Sequence, residues 1–328
     1  MLDGTRIYGD LAIISGSGNP QLAQEIADAL GQPLLKRTIK TFPNDNIFVQ
    51  LEETVRSRDV FIIQPTCRPV NYNLMELLIL IHTARRASAG RITAVMPFYA
   101  YARSDKKDMP RVPITAKLVA DLIQTAGADR FMCVDLHAGQ IQGFFDMPGD
   151  ELTAFPFLGR HVQHMQIADL TILSADLGFA KKARNFAEML HAPVAFVEKR
   201  RQGTSTESLR VIGDVEDRNV VIVDDEVDGG GTLAGAVRQL RELGAREIYA
   251  CFVHPTFSVG AAERLAGAGL TRIVTTNTEP IPAEQRALLP NLEVIHLGAW
   301  LGCVIDAVHR GASVGETLQG YYENCEDI

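Results

Sequence analysis

Short apolar runs rich in β-branched residues recur along the chain, each bounded by polar or turn-forming residues, and this pattern predicts buried strands. These runs lie at 11–15, 59–64, 91–98, 131–136, 170–176, 192–198, 219–225, 247–254 and 272–277. Between them, apolar residues recur three or four positions apart, which is the spacing of an amphipathic helix. The helical segments lie at 19–31, 71–90, 114–130, 179–190, 232–245 and 260–269. Alternation of strands with helices predicts an α/β fold with mainly parallel sheets flanked by helices.

The length of the chain, 328 residues, favours two domains over a single core. The segment DMPGDELTAFPFLG, residues 146–159, is rich in turn-forming residues and is the candidate boundary. We therefore expect a first domain over 1–155, with the C-terminal tail packed on it, and a second domain over 156–328. Each half supplies a similar series of strands and helices, so two related α/β lobes are expected.

Composition narrows the class of protein. Hydrophobic residues make up 46% and charged residues 22% of the chain, which is typical of a globular protein. The formal net charge of -8 disfavours nonspecific binding to nucleic acid, which needs a basic surface. The five cysteines are scattered without a CxxC pair, and no apolar run approaches the roughly 18 residues of a membrane span. We expect a cytoplasmic protein that binds neither nucleic acid nor a membrane.

The stretch VVIVDDEVDGGGTLAGA, residues 220–236, predicts a buried strand, an acidic and glycine-rich loop, and a helix. Such a loop lies at the carboxyl end of its strand, where open α/β sheets bind ligands. Glycine amides and the helix N-terminus favour an anion, to which the Thr232 hydroxyl can donate. Asp224 and Asp225 suit sugar hydroxyls or Mg²⁺, so a sugar phosphate would satisfy both parts of the loop. The alternative is a glycine-rich turn whose aspartates cap a helix.

This loop has neither the GK[ST] ending of a Walker loop nor the GxGxxG spacing of a dinucleotide fold. It resembles the phosphoribosyl-pyrophosphate loop of type I phosphoribosyltransferases. Over most of its length the chain is similar to one family, the ribose-phosphate pyrophosphokinases. The similar segments are the long stretch from NYNLMELL to TAGADR (71–130), VDLHAGQIQGFFDMPGDELTAFP (134–156) and HPTFS (254–258).

The resemblance implies an activity and an assembly. Members of this family move the diphosphate of ATP to the C1 hydroxyl of ribose 5-phosphate, with release of AMP, and they require Mg²⁺. The fold implied is two phosphoribosyltransferase-like lobes. Family members typically form hexamers built from dimers, with ATP sites completed across subunits, so a homo-oligomer is expected.

The resemblance also implies an ATP site. Arg103 matches a family arginine that contacts ATP, and Asp108 matches an acid that helps to hold the nucleotide. His137 matches a histidine that contacts ATP and metal, and it shares a strand face with Asp135 if the chain is extended there. The ATP-binding residues implied are Phe42, Asn44, Asn46, Arg103, Ser104, Asp108 and His137.

The remaining site residues follow from the same resemblance. Asp176 matches an acid used for Mg²⁺ and sugar binding, so the metal residues implied are His137 and Asp176. EKRRQGTSTES, residues 198–208, matches the catalytic lid, in which Lys199 and Arg201 take the two essential cation positions; the alternative is an ordinary hairpin loop. The ribose 5-phosphate site implied comprises Arg201, Asp224, Asp225, Asp228, Gly229, Gly230, Gly231 and Thr232.

Several of these positions depart from the family pattern. Ser104 replaces a glutamine, Asn46 a glutamate, Phe179 a glycine, and Gly229 a threonine. We expect the Phe179 ring to close space that the backbone otherwise gives to ligand. The departures motivate one alternative to an active pyrophosphokinase, a noncatalytic or weakly active regulatory paralogue. A further alternative is a phosphoribosyltransferase that consumes the product. A phosphoribosyltransferase needs only one lobe, whereas the resemblance covers both lobes.

Overall fold

The structure, a computed structural model, describes residues 8–176, 178–202 and 206–324. The strands of this part of the chain are β1 (Leu11–Ser15), β2 (Arg37–Thr41), β3 (Ile47–Leu51), β4 (Asp59–Ile63), β5 (Arg91–Met96), β6 (Arg130–Val134), β7 (Gly149–Leu152), β8 (Leu170–Ser174), β9 (Val194–Gln202), β10 (Thr206–Ile212), β11 (Asn219–Glu226), β12 (Ile248–His254), β13 (Arg272–Thr276) and β14 (Leu292–Ile295).

The helices of the same residues are α1 (Pro20–Ala29), α2 (Val70–Arg86), α3 (Thr115–Ala126), α4 (Phe155–His164), α5 (Ala180–Met189), α6 (Gly231–Glu242), α7 (Ala261–Ala266), α8 (Ala283–Leu288), α9 (Gly298–Arg310) and α10 (Val314–Asn324). A short 3₁₀ helix spans Gly139–Phe144.

The chain forms two compact units, each with its own core. The first unit comprises the described residues up to Thr153 and those from His296 onward, and the second is Ala154–Ile295. No helix among the described residues is long and apolar enough to cross a membrane.

The sheet of the first unit has the strand order β1-β4-β5-β6-β7, and all of its neighbouring strands are parallel. β4, with the sequence DVFII, is buried at every position, as expected of a central parallel strand covered on both faces. β2 and β3 form a separate antiparallel hairpin. The carboxyl ends of the parallel strands therefore share one edge of the sheet, where the candidate ligand residues follow β6.

Helix α9 belongs to the first unit because of specific contacts with α1 and the sheet. Gly302 lies so close to α1 that an added Cβ would approach the Cβ of Ala29 to 3.1 Å. His309 Nδ1 lies 2.9 Å from Oδ2 of Asp59, a buried carboxylate that also pairs with Arg91. A buried carboxylate needs such partners, because an uncompensated charge in the interior is costly.

The sheet of the second unit has the strand order β10-β9-β8-β11-β12-β13-β14. Its strands are parallel except for β10, which pairs antiparallel with β9. β11 lies centrally between β8 and β12, so the acidic residues at its end emerge in the middle of the carboxyl edge. The expected fold class, two phosphoribosyltransferase-like α/β lobes with mainly parallel sheets, is confirmed.

Every apolar run that predicted a strand forms one, and every predicted helical segment contains a helix. The pattern missed strands β2, β3, β7, β10 and β14 and helices α4, α8, α9 and α10. β9 also continues to Gln202, beyond the end predicted at 198, and pairs with β10 across the EKRRQGTSTES segment. The turn-rich segment 146–159 contains β7 and the start of α4.

Candidate functional site

One cavity of the first unit brings together several of the predicted ATP-binding residues. It has a volume of ≈ 390 Å³ and is lined by Arg103, Ser104, Lys106, Asp108, Val112 and Pro113. The cavity lies in the segment that joins β5 to α3, after the carboxyl end of a buried parallel strand. Cationic and anionic side chains around one cavity suit a ligand that carries both phosphates and hydrogen-bond donors.

Ser104 has a second role at this cavity, because it caps α3. The backbone N–H of Thr115 donates to the Ser104 Oγ at 3.2 Å, and the N–H of Ala116 donates to the Ser104 carbonyl at 3.2 Å. The first N–H groups of a helix have no partner within the helix, so a residue outside it must supply one. The N-cap residue Ile114 has no side chain that could do so.

The turn after β6 places Asp135 and His137 differently from the extended geometry considered above. β6 ends at Val134, and Asp135 has φ 41°, which breaks the alternation of a strand. Asp135 is consequently buried, whereas His137 is exposed. The idea that the two residues share a strand face is therefore wrong, although His137 does project from the carboxyl edge of the sheet.

The predicted adenine-contacting residues lie at the tip of the β2–β3 hairpin. The N–H of Phe42 donates to the Asn46 carbonyl at 2.8 Å, and the N–H of Asn46 donates to the Asn44 Oδ1 at 3.3 Å. The Phe42 ring is 48% exposed and lies beside Phe48, with ring centroids 6.0 Å apart. Phe42, Asn44 and Asn46 thus form one exposed group, and they do not line the cavity at Arg103.

In the second unit, Asp176 follows β8 and turns the chain into α5. Its Oδ1 accepts a hydrogen bond of 2.9 Å from the N–H of Phe179. The Phe179 ring is buried and packs on Phe155, with ring centroids 5.5 Å apart. The ring therefore enters the aromatic interior of the unit, and the expectation that it closes space otherwise given to ligand stays a prediction.

The acidic end of β11 concentrates negative charge at the middle of the sheet edge. Asp225 is buried, and its N–H donates to the Asp224 Oδ1 at 2.9 Å. Burial, and then the charges of Asp225 and Asp176, raise the pKa of Asp224 well above its ordinary value. Hydrogen-bond donors from a ligand, or a cation, would relieve this repulsion.

The glycine loop between β11 and α6 has the geometry of an anion site. Gly230 has φ 69°, in the left-handed region that glycine adopts without strain, and α6 begins directly after it. An added Cβ at Gly231 would meet nothing within 4 Å, so space is open at the helix N-terminus. Thr232 is exposed in the first turn of this helix. Glycine amides, the helix N-terminus and a hydroxyl together favour a phosphate.

Sequence reasoning missed a polar cluster beside this loop. Thr256 Oγ1 lies 2.8 Å from Glu279 Oε1 and 3.2 Å from Glu226 Oε1. Glu279 is buried, and this burial raises its pKa to about 8; the Thr256 hydrogen bond opposes that shift, and the charges of Glu226 and Asp228 add to it. The signal was the acidic residue Glu279 just after the apolar run at 272–277, at the carboxyl end of a predicted buried strand, where open α/β sheets bind ligands.

The predicted lid lies at the β9–β10 hairpin. Lys199 is paired in register with Leu209, and Arg201 with Glu207. The side chains of Lys199 and Arg201 lie outside the described residues. The structure places their backbones two positions apart on β9.

The two predicted metal residues differ in how well they suit Mg²⁺. Within residues 8–176, 178–202 and 206–324, no group of three or more His, Cys, Asp or Glu side chains is arranged to hold a metal. Mg²⁺ in nucleotide-using enzymes commonly takes one or two carboxylates together with substrate phosphates and water. Asp176, whose charge acts on Asp224, fits such a partial site. His137 fits less well, because Mg²⁺ prefers oxygen ligands.

Comparison with known proteins gives consistent results over most of the chain. Residues 11–127 match a family model for the N-terminal domain of ribose phosphate pyrophosphokinase, and residues 200–319 match one for a phosphoribosyl synthetase-associated domain. A ribose-phosphate pyrophosphokinase of Nostoc sp. is 46% identical over 311 residues, which cover 94% of each chain. Another, of Clostridium perfringens, is 47% identical over 277 residues, which cover 83% of this chain and 87% of that protein.

A solved structure gives the same result for the fold. The phosphoribosylpyrophosphate synthetase of Mycobacterium smegmatis is 41% identical and superimposes with a TM-score of 0.88, covering 93% of this chain and 100% of that one. Both identities exceed 40% and extend over nearly the full length of the chain, so the similarity is not limited to one shared domain. The chain belongs to the ribose-phosphate pyrophosphokinase family.

Proposed function

We propose that this chain catalyses transfer of the diphosphate of ATP to the C1 hydroxyl of ribose 5-phosphate, giving phosphoribosyl pyrophosphate and AMP. The observation that carries this proposal is the loop after β11. Two acids at the end of a buried parallel strand precede a glycine turn and a helix N-terminus, which suits the hydroxyls and the phosphate of one sugar phosphate. The family membership, which covers both lobes, favours the synthetase over a single-lobe phosphoribosyltransferase.

In this reaction the C1 oxygen of ribose 5-phosphate bonds to the β-phosphorus of ATP. The bond from that phosphorus to the oxygen shared with the α-phosphate breaks, AMP leaves with the electron pair, and the hydroxyl proton passes to solvent. Such a transfer needs alignment of the two oxygens and neutralisation of charge more than it needs a nucleophilic side chain.

The ribose 5-phosphate site is assigned to the β11–α6 loop. The amides of Asp228 to Gly231 and the hydroxyl of Thr232 bind the 5-phosphate, and Asp224 and Asp225 accept hydrogen bonds from the sugar hydroxyls. The raised pKa of Asp224 supports this role, because hydroxyl donors stabilise the ionised carboxylate and offset its burial.

The ATP site is assigned to the cavity of the first unit. Arg103 neutralises nucleotide phosphate charge, Asp108 and Ser104 offer hydrogen-bond partners at the same cavity, and exposed His137 contacts the phosphates. Lys199 and Arg201, with Arg201 also contacting ribose 5-phosphate, neutralise the charge that develops on the transferring diphosphate and on AMP.

Mg²⁺ is the proposed cofactor, and it supplies charge neutralisation on the ATP phosphates. Asp176 would hold it through a carboxylate oxygen, and His137 is the second metal residue that the resemblance implies. The partners are ATP and ribose 5-phosphate, with no nucleic acid or membrane.

We further propose that the protein forms a homo-oligomer, a hexamer built from dimers. We also propose that it is cytoplasmic. The exposed group of Phe42, Asn44 and Asn46 supports this assembly, since it presents an aromatic ring and amides at a hairpin tip outside the cavity at Arg103. In such an assembly this tip would reach the adenine of a neighbouring subunit.

The test is direct. Purified protein with Mg²⁺, ATP and ribose 5-phosphate should produce AMP and phosphoribosyl pyrophosphate in equal amounts, and omission of ribose 5-phosphate should abolish AMP release. Binding of both ligands without AMP would instead support the noncatalytic regulatory paralogue. Consumption of phosphoribosyl pyrophosphate with a nucleobase would support the phosphoribosyltransferase.

A further inference from the structure

A path of hydrogen bonds links α10 to the turn that carries His137. The Tyr322 hydroxyl donates to the Thr153 carbonyl at 2.9 Å. The Thr153 Oγ1 donates to the Asp135 Oδ1 at 2.8 Å. Asp135 is the residue at which the chain leaves β6, two positions before His137. All of these residues belong to the first unit.

The turn at Asp135 requires support from its surroundings. A non-glycine residue with φ 41° is in a sparsely populated region, and the cost of this conformation is met only where neighbouring contacts fix it. The Asp135 side chain is also buried, and a buried carboxylate needs hydrogen-bond donors. Thr153 supplies one such donor, and the Leu152 carbonyl accepts the N–H of Asp135 at 2.8 Å.

Tyr322 lies beside α9 as well as beside Thr153. Trp300 of α9 is buried, and its indole is near the Tyr322 hydroxyl. Burial, followed by the charge of Asp135, raises the pKa of Tyr322, so its hydroxyl stays protonated and able to donate across the usual assay range. The hydroxyl is therefore a defined donor to the Thr153 carbonyl, which links α10 to the residues that follow β7.

We propose that Tyr322 is a positioning residue for His137. The Tyr322 hydroxyl binds the Thr153 carbonyl and so fixes Thr153. The Thr153 side chain in turn binds Asp135, and the backbone turn at Asp135 sets the orientation of His137. The inference rests on the proposed function, in which His137 contacts the phosphates of ATP. The inference gives helix α10, which lies far along the chain from both predicted ligand sites, a role in positioning an ATP-binding residue.

The kinetic test is Tyr322→Phe, which removes only the hydroxyl. The expected result is a fall in kcat/KM for ATP of about three- to tenfold, the size of one lost hydrogen bond, with KM for ribose 5-phosphate unchanged. Tyr249→Phe is the matched control, since that hydroxyl contacts Glu247 in the second unit, and its kinetics should equal those of the parent. In a His137→Ala background, Tyr322→Phe should have no further effect, because a residue that acts through His137 cannot act without it.

A measurement without turnover separates this inference from the proposed function. In protein labelled with ¹³C-histidine, Tyr322→Phe should shift the NMR signal of His137, identified by its loss in His137→Ala, and leave that of His191 unchanged. Parent protein without synthetase activity but with this shift would contradict the proposed function and support the positioning role. An unchanged His137 signal, or an equal kinetic loss with and without His137, would overturn the inference.

Discussion

The backbone N–H of Thr115 donates a hydrogen bond of 3.2 Å to the Oγ of Ser104, so a residue of the nucleotide cavity also caps helix α3. Ser104→Ala should lower the free energy of unfolding by about 1 kcal/mol, the usual cost of a lost cap. Urea denaturation measures this difference. Ser104→Thr keeps the hydroxyl and should retain the stability of the parent; equal stability of the alanine and threonine variants would contradict the capping role.

Glu279 should make stability depend on pH. Its pKa is about 8 in the folded protein against an ordinary 4.5, so between these values the folded state holds a proton that the unfolded chain lacks. The free energy of unfolding should therefore fall as pH rises from 4.5 to 8.

Glu279→Gln does not titrate at this position and removes that contribution. The variant should gain stability relative to the parent as pH rises, with little difference between the two near pH 4.5, measured by thermal unfolding across the range. A constant difference between the two proteins at all pH values would show that Glu279 is already ionised in the folded state.

Gly229 offers a gain-of-function test at the phosphate loop. An added Cβ would lie 3.7 Å from the Ser258 Oγ and 3.8 Å from Arg264 Nη1, which are ordinary contacts, so Gly229→Thr should fold normally. The new hydroxyl lies at the anion site and should lower KM for ribose 5-phosphate about threefold, with KM for ATP unchanged.

The neighbouring glycine provides the control. Gly230 has φ 69°, so Gly230→Thr should destabilise the protein by about 1 kcal/mol or more and weaken ribose 5-phosphate binding. If both threonine variants bind the sugar phosphate like the parent, the loop does not hold the 5-phosphate.

Lys199→Ala should lower kcat by about a hundredfold or more while leaving ATP affinity near that of the parent, because the side chain acts mainly in the transition state. Rapid-quench kinetics and equilibrium ATP binding measure the two quantities separately. Lys181→Ala, at an exposed position of α5, is the matched control. Equal turnover in Lys199→Ala and the parent would refute the assigned role.

The central strands of both sheets could be predicted from the sequence because they are buried on both faces. β4 and β12 are buried at every position, and a strand buried on both faces has a nearly continuous apolar run in its sequence. β2 and β3 carry polar residues on an exposed face, and their hairpin had no apolar run to reveal it. α9 was missed even though Trp300, Leu301, Val304 and Ile305 recur at the spacing of an amphipathic helix and are buried.

The candidate site could be predicted where residue type and strand end coincide. Asp224 and Asp225 lie at the end of β11 and the glycine turn follows it, as the local pattern indicates. The orientation of His137 could not be predicted, because it depends on the backbone turn at Asp135 and on Tyr322 from a distant part of the chain. The burial of Phe179 likewise depends on Phe155, whose position follows from packing and not from local sequence.

Electron density for bound ribose 5-phosphate tests the central assignment most directly. In crystals of the protein soaked with this ligand, the 5-phosphate should lie against the amides of residues 228–231 and the hydroxyl of Thr232, with sugar hydroxyls toward Asp224 and Asp225. A phosphate bound in another crevice while this loop stays without ligand would contradict the account.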